Sequence, residues 1–270
     1  MAGGRRYTGY LRQRCNDKQS VVFKRAAFKH QENIVIDKDV QSINSEAFYG
    51  AKNLRSVTFN GNSVKTIGKN AFNGCESLTS FSVPSGVGFI GEKAFANCST
   101  LTEFSIPKSV TRVERYVFSG AKCCETEGGA YYVGDWAVDC VPDASTVSLR
   151  SGTKHIADRA FMDCKSVKTL YLPNSLESMG IEAFYGSGIT EVNIPGSVTS
   201  IESGAFKFCI SLEKLTLNNG TQIIGSNAFS NCNRLTSVEF PESLDRILGS
   251  AFYDCTSLKE LIFNGYTSIA

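Results

Sequence analysis

LTEFSIPKSVTRVERYVF, residues 101–118, decides the fold. It holds two short apolar alternations, Phe104-x-Ile106 and Val110-x-x-Val113, with Pro107 closing the first and the apolar pair Val117-Phe118 ending the stretch. The same pattern recurs along the chain. Its pair, Ala-Phe in every other copy, ends at Phe48, Phe72, Phe95, Phe118, Phe161, Phe184, Phe206, Phe229 and Phe252, at intervals of 22–24 residues except for one gap of 43. A tenth, degenerate copy sits at Ala27-Phe28. A fixed period of this length is the signature of a repeat architecture.

Aligned on the Phe, the unit reads L-x-x-h-x-h-P-x-S-V-x-x-I-G-x-x-A-F-x-x-C-x-S, with h apolar. The segments h-x-h and V-x-x-I alternate as strands do, whereas A-F-x-x-C-x-x-L has the spacing of one helical turn. Such a coil cannot bury its apolar side chains alone. Stacking sets strand against strand about 4.8 Å apart and gathers Phe, Ile and Leu into columns. The expectation is an α/β repeat solenoid: a right-handed superhelix of about ten coils, β-rich with short helical turns and a parallel sheet on its concave face. Residues 1–33 form a basic arm and degenerate first coil, and residues 34–270 the solenoid.

Pro84, Pro107, Pro173, Pro195 and Pro241 follow h-x-h and lack the N–H that would continue a ladder. Gly68, Gly91, Gly180 and Gly225, one residue after the apolar end of the second strand, mark the bend into the helical turn, where glycine tolerates a positive φ. The 43-residue gap carries extra chain at about 123–142, and Ala130–Val138 reads as a hairpin turning at Gly134-Asp135, with Val133 opposite Trp136 and Tyr132 opposite Ala137.

The A-F-x-x-C-x-S-L-x-x-h-x-h-P unit resembles the BspA-like, Treponema-type leucine-rich repeats, over about residues 34–269. The resemblance implies a leucine-rich-repeat binding scaffold, a protein ligand such as a host or cell-surface protein, and a role at the cell surface or in secretion, in adhesion or another protein–protein contact. No signal peptide is visible, so the alternative is an intracellular, cytoplasmic interaction scaffold.

The 270 residues are 42% hydrophobic, and their net charge is +2. Residues 1–33 carry +6, which leaves about −4 elsewhere, so no strong field calls for nucleic acid. No apolar run is long enough for a transmembrane helix. Six of ten cysteines, Cys75, Cys98, Cys164, Cys209, Cys232 and Cys255, fall three residues after the repeat Phe, where Ala51, Ala121 and Ser187 also occur. They read as small buried side chains. A disulfide, if one forms, is expected between Cys140 and Cys123 or Cys124.

There is no Cys-x-x-Cys, no phosphate loop and no His-Glu-x-x-His, and the two histidines, His30 and His155, have no evident catalytic partner. No enzyme, cofactor or metal is expected. Binding is expected on the outward columns of the strands, at Tyr171 with Glu191 and Lys214 and at Glu239 with Ile262, and on the hairpin at Tyr131, Tyr132 and Trp136. The last coil ends before any Ala-Phe, which makes self-association through an uncapped edge a further expectation.

Overall fold

The computed structural model describes residues 30–264. The basic arm, the copy at Ala27-Phe28, Cys15 and residues 265–270 lie outside that range. Two compact units are present: one runs to Thr111 and includes Val117–Cys123, and the other comprises Arg112–Tyr116 and continues from Cys124.

In the first unit the long strands pair in parallel, Asn33–Ile36 with Ser56–Phe59 and Ser80–Ser82 with Glu103–Ser105. The short strands Ser42–Ile43, Thr66–Ile67 and Phe89–Ile90 form a second ladder. Residues one repeat apart face each other, Ile43 opposite Ile67 and Ile67 opposite Ile90, so like stacks on like. Phe48, Phe72, Phe95 and Phe118 stack near-parallel, with centroids 5.0, 5.2 and 6.0 Å apart. Phe81 and Phe104 meet that column edge-on. Such ring pairs each add about 0.5–1.5 kcal/mol beyond their buried area.

The second unit repeats the plan. Its long strands are Thr146–Ser148, Thr169–Tyr171, Glu191–Ile194 and Lys214–Leu217, with Ser237–Phe240 alongside and paired to Glu260–Phe263. Ser200–Ile201, Ile223–Ile224 and Arg246–Ile247 form a short ladder. Phe161, Phe184, Phe206, Phe229 and Phe252 stack at 5.0–5.4 Å.

The expected helical turn is not formed: no described residue is helical. In each of the nine described copies the residues two before and two after the repeat Phe have φ between 54° and 76°. Left-handed residues alternating with right-handed ones cannot propagate a helix. The N–H groups instead divide their work. Those of Glu46, Phe48 and Gly50 donate to Lys69, Ala71 and Asn73 of the next coil, whereas Ala47 and Tyr49 close turns onto residues three back. The three-to-four-residue spacing in the sequence therefore reflects stacked turns.

Gly68, Gly91, Gly180 and Gly225 do not have positive φ. They are required by approach: a Cβ on Gly68 would lie 2.5 Å from Ser45 N, and one on Gly225 2.5 Å from Ile201 O. The prolines do end the strands, and each carbonyl then accepts from the N–H three residues on, as Pro84 does from Val87 at 3.0 Å.

The cysteine slot is more than small. Cys75, Cys98, Cys209, Cys232 and Cys255 each donate a thiol hydrogen to the Phe carbonyl one coil earlier, at 3.1–3.3 Å. Ser187, in the same slot, is buried too, and its hydroxyl meets Cys209 Sγ at 3.3 Å.

The inserted chain is a three-stranded antiparallel meander, Glu125–Glu127, Ala130–Val133 and Trp136–Cys140. Val133 faces Trp136 and Tyr132 faces Ala137, the expected register. The additional strand Glu125–Glu127 was not expected. The third strand then pairs in parallel with His155–Ile156, which pairs with Ser178–Met179, so the meander supplies a rung of a short-strand ladder.

Candidate functional site

Strand alternation turns one side chain in two outward. On the long strands of the second unit, Tyr171, Glu191, Asn193, Lys214, Thr216, Glu239 and Ile262 are exposed, while Leu170, Val192, Leu215 and Val238 between them are buried. Tyr171 is 60% exposed, far more than a ring engaged in packing. Glu191 lies opposite Lys214, and Glu239 opposite Ile262.

Four of these side chains line one open groove of about 1180 Å³: Lys214, Thr216, Glu239 and Ile262. The strands Lys214–Leu217, Ser237–Phe240 and Glu260–Phe263 form its floor. Thr216, Ser237 and Asn218 add hydrogen-bonding groups, and Ile262 adds exposed apolar surface. Glu191 and Tyr171 do not line the groove.

Sequence alone missed several lining residues. Asn218 occupies a slot that is proline in other copies; its Nδ2 donates to Asn193 Oδ1 at 2.7 Å and to the Ile194 carbonyl at 2.8 Å. Asn264 in the same slot donates to Glu239 Oε1 at 2.7 Å, holding that carboxylate in place. Asn in place of Pro was the available signal. Arg234 and Glu213, ion-paired at 2.7 Å, form a charged flank that only the winding of the coils brings to the groove.

The meander offers less surface than its aromatic content suggests. Tyr132 and Trp136 are buried, and only Tyr131 is half-exposed. The Tyr132 hydroxyl accepts from Arg150 N at 3.2 Å, the Arg150 guanidinium lies 4.4 Å above the ring, and burial raises the phenol pKa. Trp136 packs against His155 at 4.6 Å between centroids. His155 is half-buried there; its Nδ1 meets Ser178 Oγ at 2.9 Å, and burial lowers its pKa. The ring is held between Trp136 and Ser178 as a packing element.

The profile of the BspA type leucine rich repeat region matches residues 21–128 and 132–259, in six copies. A leucine rich cell surface protein from Faecalibacterium prausnitzii has a similar solved structure, with a TM-score of 0.52 and 22% identity, covering 92% of this chain and 84% of that one. A leucine-rich repeat protein from Eubacterium ventriosum gives a TM-score of 0.48 and 18% identity over 78% of this chain and 73% of its own. No curated protein matches the chain significantly in sequence. With the repeat profile covering most of its length, the chain belongs to the BspA-type leucine-rich repeat family.

Proposed function

We propose that the chain is a non-enzymatic scaffold that binds another protein, and that it does so at the cell surface or after secretion, in adhesion or a related contact. The observation that carries the reading is the groove floored by Lys214–Leu217, Ser237–Phe240 and Glu260–Phe263. Ser237–Phe240 pairs with Glu260–Phe263 and runs beside Lys214–Leu217, with Leu215, Leu217, Val238 and Phe240 buried beneath, which holds the outward side chains of these strands in place before a partner arrives. Lys214 and Glu239 offer opposite charges, and Ile262, opposite Glu239 on the neighbouring strand, offers an exposed apolar anchor. Charges set orientation and rim specificity, while desolvated apolar contact supplies affinity. Tyr171 and Glu191 extend the same outward columns beyond the groove, and Tyr131 marks the accessible part of the meander.

The surface location is supported by the family and by the Faecalibacterium protein, whose own description is that of a cell surface protein. Two measurements test the proposal. Purified chain is passed over a panel of immobilised extracellular host proteins, beside a Lys214→Glu/Glu239→Lys double variant with an unchanged melting temperature. Loss of at least tenfold in affinity in the variant supports the groove; equal binding by both removes it. Protease shaving of intact source cells tests location, and full protection of the chain would refute the surface reading.

A further inference from the structure

Two residues on one turn of the second unit break the pattern of the repeat. The slot two residues after the repeat Phe has a left-handed backbone, and in the other eight described copies it holds Gly, Asn or Asp, which tolerate that conformation. After Phe206 the slot holds Phe208, at φ 60°. A bulky side chain is disfavoured on such a backbone, and this ring is 37% exposed. Ile210, two residues on, is 58% exposed, in a slot that is polar, charged or glycine in every other described copy, as at Glu76, Lys165 and Asn233. Cys209 between them is fully buried, so Phe208 and Ile210 turn outward together. Tyr185 of the preceding coil meets the Phe208 ring edge-on at 5.3 Å, and Lys207 Nζ lies 5.4 Å from the centre of the same ring. None of these four residues lines the groove.

We propose that Tyr185, Phe208 and Ile210, with Lys207 beside them, form a second docking surface. Its occupant is a protein segment in which a large apolar side chain stands next to a carboxylate. The apolar half follows from the gathering of two aromatic rings and an exposed aliphatic side chain at one place, which marks a contact surface. Backbone strain points the same way. Asn at position 208 would relieve it, so a strained, exposed Phe has its use outside the fold.

The acidic half follows from charge. Lys207 stands over the Phe208 ring, and Lys168 Nζ lies over Gly188, which holds the Ile210 slot one coil earlier. Neither lysine makes an ion pair among the described residues; Lys168 donates only to the Lys165 carbonyl, at 3.1 Å. A carboxylate beside the apolar anchor would meet two unpaired cations. An anionic lipid surface fits less well. Asp163 and Asp254, both exposed, hold the Phe208 slot two coils to either side, where they would face its headgroups.

Random peptides displayed on phage are selected on the immobilised full chain, and the binders are measured as synthetic peptides by fluorescence anisotropy. The expected binders carry Leu, Ile, Phe or Trp beside Asp or Glu. Phe208→Asn/Ile210→Ser should weaken them about tenfold or more, and Lys207→Glu should weaken them as well, whereas Lys214→Glu/Glu239→Lys should not. The double variant at 208 and 210 should fold, because Asn97 and Asn231 already adopt this backbone and Ser99 fills the Ile210 slot. Its melting temperature should stay within about 3 °C of wild type or rise above it. A larger fall would make the Phe208 ring a brace of the fold and overturn the inference. Selection of no binders, binders without the acid, equal binding by wild type and the double variant, or loss of binding in the groove variant alone would do the same. So would binding of the wild-type chain to phosphatidylserine vesicles that the double variant loses. Failure here leaves the groove untouched, since the two surfaces share no residue.

Discussion

The Asp158 carboxylate accepts a hydrogen bond from Arg112 Nε at 2.6 Å, between residues 46 apart in the chain. Asp158 follows Ile156-Ala157, close to the slot that Gly180 and Gly225 fill in later copies, and its side chain is only 6% exposed. Its other oxygen accepts from Ile181 N at 2.9 Å, and its own N–H donates to Val113 O. Burial raises its pKa despite the guanidinium, so the charged form depends on Arg112. Removing one partner of a buried pair costs more than the pair contributes. Because Arg112 is 45% exposed, we expect Arg112→Met to destabilise by about 2 kcal/mol in urea unfolding rather than by the full buried-pair figure. Arg234→Met, which breaks the solvated Glu213 pair, should stay within about 0.5 kcal/mol.

Gly225 and Gly134 separate two reasons for glycine. A Cβ on Gly225 would sit 2.5 Å from Ile201 O and 2.8 Å from Glu202 C, both backbone atoms that cannot move without opening the coil contact. Gly134, at φ 62° in the meander turn, has open space around it. Gly225→Ala should therefore cost about 2–3 kcal/mol through overpacking. Gly134→Ala should cost only about 1 kcal/mol, from the left-handed backbone. Equal losses in thermal unfolding would refute the distinction.

Much of this was legible in the sequence because stacking turns a period into a column. Phe72 lies on Phe48 since the two are one repeat apart, and Tyr171 faces out since Leu170 beside it faces in. Illegible features depend on how one coil meets the next. The alternating left-handed turn is hinted at where Gly50, Asn97 or Asp163 occupies it, but Lys93, Tyr116 and Phe208 hold the same φ with no such preference. Gly68 reads as a bend in one dimension and proves to be a close approach in three. Arg234 reaches the groove through the winding of the coil, and the meander's last strand becomes a rung of the short-strand ladder beside His155–Ile156.

The thiol ladder makes a graded prediction at Cys98. Its Sγ donates to Phe72 O at 3.2 Å in a fully buried site. Cys98→Ser keeps a donor and should lie within about 1 kcal/mol of wild type. Cys98→Ala loses both the hydrogen bond and part of the volume, at about 1–2 kcal/mol. Burial pushes the Cys98 thiol up to about 12, so it should resist alkylation in the native protein near neutral pH, whereas Cys140 should react. Peptide mapping after brief native-state alkylation would show the order, and faster labelling of Cys98 would contradict it.

Asp139 sets a pH dependence of its own. Burial pushes its carboxyl up to about 6 from 3.8, even though Cys140 N–H donates to Oδ1 at 2.9 Å and Arg115 is nearby. Between those values the folded protein holds a proton that the unfolded chain has released, so folding is favoured at low pH. This contribution is fully present below pH 3.8 and is lost as pH rises through about 6. His155 acts oppositely: its lowered pKa means stability is lost as pH falls below the ordinary value of 6.5. The two are separated by difference. Asp139→Asn keeps the acceptor for Cys140 N–H and removes the titration. Relative to wild type the variant should gain on the order of 1–2 kcal/mol as pH rises from 4 to 7, after allowing for the part of the carboxyl that water reaches. Urea unfolding of both proteins across that range measures the gap, and a gap that does not change with pH would show the Asp139 carboxyl to be solvated.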